Sequence, residues 1–147
     1  MSDSKSRVRF MQSLVAGSPV SGTGRHADIQ AEFDEVLLAR RVLKRPRKRL
    51  LQVLHSTRAL DSTLKEFTKL HGCQPSSPSL GRYLYALKDG CASLETISDQ
   101  ERQRYQAQIV QLRNKYMHEA GEMPADDSEV LTLLADMHAC LQRVFSL

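Results

Sequence analysis

The sequence predicts an all-α protein, an up-and-down bundle of about five helices. Leucine, glutamine, arginine and glutamate fill long stretches in which apolar residues recur every three or four positions. Glycine and proline gather chiefly at residues 17–24 and 72–81, and no run with strand-like alternation competes with the helices. A chain of 147 residues is the size of one ordinary domain, so these helices are expected to share one core.

Residues 1–24 are rich in Ser and Gly with scattered Lys5, Arg7 and Arg9, and read as a flexible tail ahead of a bundle spanning 25–147. From Asp28 a helical face runs through Ile29, Phe33, Val36 or Leu37, Arg40 and Val42 or Leu43 up to Pro46, which suits the first turn of a second helix. That second helix is predicted from Pro46 to His71, with Leu50, Val53, Leu54, Thr57, Leu60, Leu64, Phe67 and His71 on one stripe and Gly72 as its stop. A shorter helix follows over Leu80–Lys88. Ser98 or Asp99 is a natural N-cap for a fourth, reaching Ala120 before Gly121 and Pro124. The last opens at Asp126 or Asp127 and carries Val130, Leu134, Met137, Leu141 and Val144 to the C-terminus.

No apolar run approaches the ~18 residues that a membrane helix needs, and the 10–20 stretch is too short and interrupted for a signal peptide, so a cytoplasmic protein without a membrane partner is expected. Cys73, Cys91 and Cys140 are odd in number and lack a Cys-x-x-Cys spacing, which points to packed thiols rather than a disulfide framework or a zinc site. His71 and Cys73 make at most half a metal site, and no metal or other cofactor is expected. The net charge of +4 conceals a cluster: Arg40, Arg41, Lys44, Arg45, Arg47, Lys48 and Arg49 fall together with no acid among them. Such a cluster suits a polyanion, or else a solvated or partner-binding face.

On the fourth helix, Tyr105, Ile109, Leu112, Tyr116 and Ala120 form the core-facing stripe, so Asn114 and His118, four apart, stand together on the outer face. Arg113 leaves near the edge of the stripe, and a straight helix does not align it with His118. Asp61, inside the apolar stripe of the second helix, is a candidate ion-pair partner for Arg113.

The stretch Arg113, Asn114, Lys115, Tyr116, Met117, His118 resembles the Arg-x4-His signature of HEPN domains, late in a long helix and next to the C-terminal one. A looser variant with five intervening residues occurs at Arg49 and His55. The resemblance implies a HEPN-like bundle with two long antiparallel helices, homodimerisation that joins two motifs in one cleft, and metal-independent RNA cleavage of the kind found in toxin and defence systems. An antitoxin or larger complex is then a further possible partner. Gln108 and Leu112 stand where some catalytic members carry Glu and Lys, and Ala120 stands where the nucleotidyltransferase-paired toxins carry tyrosine.

Under this resemblance Arg113, Asn114 and His118 form the catalytic set, and Lys44, Arg45, Arg47, Lys48 and Arg49 hold the RNA backbone. The chemistry fits the residue types. His118 would move the proton, Arg113 would grip phosphate oxygens through its fork of donors, and Asn114 would orient the imidazole or the substrate. The other readings are a non-catalytic HEPN-like module that binds a protein or nucleotide, and a basic bundle that binds nucleic acid without cutting it.

Overall fold

A computed structural model describes residues 3–42, 45–91 and 93–147. Every regular element among them is helical: α1 (Ser4–Ala16), a 3₁₀ turn (Pro19–Gly22), α2 (His26–Val42), α3 (Arg45–Leu70), α4 (Leu80–Asp89), α5 (Asp99–Tyr105), a π turn (Gln106–Val110), α6 (Gln111–His118) and α7 (Asp127–Phe145). The all-α class is therefore as expected. Leu43 and Lys44 lie outside the described residues, as do the side chains of Val42 and Arg45.

Contacts at the helix ends fix the directions. Arg40 faces Asp3 at 3.9 Å, and Gln12 donates to Asp34 at 2.9 Å, so α1 and α2 run antiparallel. The short connection before Pro46 and the pairing of Glu32 with His55 and Arg58, at 2.8 and 2.9 Å, turn α3 back along α2. α3 and α7 run parallel, because Arg49 meets Asp127 near their starts and Phe67 meets Phe145 near their ends. The rod of α5, π turn and α6 runs against α7, with Arg143 on Glu101 at one end and Tyr116 on Glu129 at the other.

α3 packs against α2, α4, α6 and α7 and is the centre of the bundle. Its buried apolar residues are Val53, Ala59, Leu60, Leu64 and Phe67, yet Ser56, Thr57, Thr63 and Thr68 are buried too. Each of those hydroxyls donates back to a carbonyl of its own helix, as Thr63 does to Ala59 O at 2.7 Å and Thr68 to Leu64 O at 2.9 Å. A polar side chain satisfied in this way can enter a core without leaving an orphan group.

Three expectations need correction. Residues 4–16 are not a flexible tail: Asp3 caps α1 by accepting from Ser6 N at 2.8 Å, and Val8, Met11 and Val15 are wholly buried against the bundle. Their spacing of three and four is itself helical, but three apolar positions among many polar ones were too few to stand out. The fourth predicted helix is not uniform, since it contains the π turn and stops at His118, where Glu119 turns extended and Ala120 is exposed. Lastly, Cys73 and Cys91 are not free thiols but a disulfide, with Cα atoms 5.2 Å apart. It staples the start of the α3–α4 connection to the second residue after α4. A bond of this kind is favoured in oxidising compartments rather than in the cytosol. Cys140 is free and buried, as expected. Among the described residues no helix is long and apolar enough to cross a membrane.

These corrections generate two stability predictions. Met11→Ala is expected to lower the urea-unfolding free energy by about 2 to 5 kcal/mol, as for a buried methionine, and an unchanged midpoint would restore the tail reading. Reduction with dithiothreitol is expected to remove about 3 kcal/mol, the loop-closure value for a cross-link of this separation. Identical denaturation curves with and without reductant would show that the cross-link contributes nothing.

Candidate functional site

The motif residues lie on α6 and its C-terminal end. Arg113 is half-buried and donates through Nη1 to Asn114 Oδ1 at 3.0 Å. Asn114 and His118 are exposed, and His118 makes no hydrogen bond or ion pair among the described residues. The fold thus joins Arg113 to Asn114 and leaves His118 open to solvent at the helix end. It does not bond His118 to either of them.

Arg113 also faces inward. Burial pushes the Asp61 carboxyl above the usual carboxylate range, while the positive charges of Arg113 and Lys65 act in the opposite direction. The partnership between Asp61 and Arg113 read from the sequence is present as attraction through space rather than as a contact pair. Tyr83 is buried beside the same acid, and its hydroxyl is held above its ordinary range first by burial and then by the charges of Asp61 and Glu66.

The end of α6 is held by a side chain that sequence reasoning treated only as core. Tyr116 is buried, and its hydroxyl donates to Glu129 Oε2 at 2.5 Å. The same carboxylate oxygen accepts from Ala125 N at 3.1 Å, so one acid pins both the last turn of α6 and the connection into α7. Burial, then the bond to Glu129 and its charge, push the Tyr116 hydroxyl up to about 12.

The basic cluster divides. Arg49 is largely buried and donates to Asp127 Oδ1 at 2.9 Å and to Ala125 O at 3.0 Å, which makes it a clamp between α3 and the α6–α7 connection rather than an open phosphate ligand. Arg47 and Lys48 have no ion-pair partner among the described residues. Lys44 and the Arg45 side chain lie outside the described residues. Because Arg49 grips the connection that leaves α6, the basic start of α3 and the His118 end of α6 occupy the same end of the bundle. The looser pair Arg49 and His55 is not a site, since Arg49 is committed to α7 and His55 to Glu32 of α2.

Elsewhere, His138 is buried under the stacked ring of Phe10, with Arg7 Nη1 at 3.0 Å from its Nδ1. A guanidinium only donates, so Nδ1 must accept, and the ring is held neutral. Burial first, and the Arg7 charge second, lower its proton affinity. No sequence pattern singled out His138, because its partners come from α1. His71 lies on Phe67, with Cys73 consumed by the disulfide. Among the described residues no group of three His, Cys, Asp or Glu side chains could hold a metal ion.

No family model, curated protein or solved structure matches this chain.

The Tyr116–Glu129 bond can be read in alkali. A hydroxyl whose folded pKa lies near 12, against 10.0 for the free group, contributes stability that is complete below pH 10 and lost as pH rises through about 12. Tyr116→Phe is expected to cost about 1 to 3 kcal/mol at neutral pH and to flatten that alkaline loss, leaving the shares of Tyr83 and Tyr105. Wild type and variant with superimposable stability between pH 9 and 12 would show that the bond does not matter.

Proposed function

We propose that this chain is a HEPN-type endoribonuclease that cuts RNA without a metal, using Arg113, Asn114 and His118 from two copies facing one another. The observation that carries this reading is the state of the motif: an arginine and an asparagine already hydrogen-bonded to each other, and an unengaged histidine at the same exposed helix end. Asn114 and His118 are exposed, so packing of the core does not account for them.

Cutting RNA in this way moves one proton from the 2′-hydroxyl and supplies one to the departing 5′-oxygen while charge grows on the phosphate. His118 serves the proton transfer, since imidazole exchanges protons readily near neutral pH. Arg113 serves the phosphate, and a guanidinium that swings from Asn114 to a non-bridging oxygen trades one hydrogen bond for a stronger, charge-assisted one. The 2′-oxygen attacks phosphorus and the 5′-oxygen leaves, giving a 2′,3′-cyclic phosphate and a 5′-hydroxyl. A single copy offers one imidazole for two proton transfers, and a second copy brings the other. Arg47 and Lys48, at the same end of the bundle, would hold flanking phosphates. A toxin or defence setting, with an antitoxin as partner, belongs to the same proposal.

A second reading has one observation in its favour. Arg113 is attracted within the chain by the carboxyl of Asp61, which suits a non-catalytic HEPN-like module that binds a partner.

Purified protein incubated with mixed RNA and EDTA separates the two. The nuclease reading expects cyclic-phosphate products, a loss of about 10²- to 10⁴-fold in rate for His118→Ala, and a comparable loss for Arg113→Ala. Cutting that survives His118→Ala, or no cutting by wild type, would end it.

A further inference from the structure

At the basic end of the bundle a cavity of about 240 Å³ opens between the starts of α1, α3 and α7 and the end of α2. Gln52 of α3 lines it and is only 3% exposed. Its carboxamide has no hydrogen-bond partner among the described residues. It is not sealed in either, because among the described residues the one unpartnered side-chain atom cut off from solvent is His26 Nδ1, at the other end of α2. The little surface that Gln52 keeps therefore includes its amide, and that surface meets the cavity. An amide that the protein leaves unpaired but open to a cavity has its donor and acceptor available to a ligand in place of water.

The other walls define what could fill the space. Val130 and Leu131 supply an apolar side. Among the described residues Lys48 has no ion-pair partner, and Arg40 has only a 3.9 Å contact with Asp3. The two acids of the rim are engaged, Asp3 as the cap of α1 and Asp127 with Arg49. The occupant that fits is thus partly apolar, carries adjacent hydrogen-bond donor and acceptor groups, and has a negative charge attached.

We propose that this cavity receives one unstacked nucleobase of an RNA strand, read by the Gln52 carboxamide, with Lys48 and Arg40 on the adjoining phosphate. The proposal rests on the RNA reading above. It adds a specificity-determining residue outside the motif. RNA is read in this way wherever a base is turned out of its stack and its edge is hydrogen-bonded in a pocket. A carboxamide offers a donor and an acceptor side by side, the arrangement that pairs twice with adenine.

The test uses the full chain and four uncleavable 2′-O-methyl hexaribonucleotides, one for each base, with binding followed by anisotropy and by the Gln52 side-chain amide signal in NMR spectra. Oligo(A) is expected to bind tightest and to shift that signal. Gln52→Leu, of similar volume, is expected to reduce the preference about tenfold, and Lys48→Ala to weaken all four oligomers alike. Equal affinity for all four, a preference that Gln52→Leu leaves intact, a Gln52 signal unmoved at saturation, or binding of free mononucleotides but of no oligomer would each overturn the proposal. The wild-type signal decides the matter even if the leucine variant fails to fold. Base-selective binding by a chain that never cuts RNA would remove the nuclease and keep the pocket. Cutting without base preference would do the reverse.

Discussion

The bundle depends on the burial of a broad face of α3, leaving only the side of Arg58, Lys65 and Lys69 to solvent. A helix of 26 residues beginning Arg-Pro-Arg-Lys-Arg has no intrinsic claim to the centre of a protein. It takes that place because its apolar stripe of Val53, Leu60, Leu64 and Phe67 is widened by buried Ala59 and by buried hydroxyls that are answered by its own carbonyls. α2, α4, α6 and α7 each cover one side of it. The antiparallel arrangement of α2 and the parallel one of α7 follow from the lengths of the connections and from the end contacts, not from separate preferences of those helices.

This explains both what the sequence revealed and what it hid. Most helix starts and stops were legible because they are chemical signals within a few residues: Asp126 caps as expected, Ser98 forms a full capping box with Glu101, and Gly72 turns with positive φ, while Ser79, not singled out beforehand, caps α4. Facts that need two distant segments were not legible. α1 is held by Val8, Met11 and Val15, which have no meaning until α7 and α2 offer a surface, and its Arg7 finds a buried histidine 131 residues away. The pairing of Cys73 with Cys91 likewise requires α4 to fold back beside the end of α3, which no spacing rule encodes.

The charge on the first turn of α3 was the oddest feature of the sequence, since cations there oppose the helix dipole. The structure accounts for one of them. Arg49 satisfies a carbonyl and a carboxylate of the α6–α7 connection and is shielded from solvent, so its place is explained by the fold. Arg47 and Lys48 have no such explanation. They remain at the first turn of α3 without partners among the described residues, at the end of the molecule where His118 also emerges.

The π turn bears on why Arg113 and His118 face different ways. One extra residue in a helical turn rotates everything after it by about 100° relative to an unbroken helix. Tyr105 and Ile109 precede or lie within that turn and are buried, whereas the four residues from Leu112 to Lys115 are half-buried or exposed until Tyr116 returns to the core. The rotation draws Arg113 to the edge that faces α3 and Asp61, and the stop of α6 at His118 leaves the imidazole beyond the last buried residue of that helix. Arg113 thus sits between the attraction of Asp61 and its bond to Asn114, whereas His118 stands free of both at the helix end, so the two side chains of the motif are set apart by the helix that carries them.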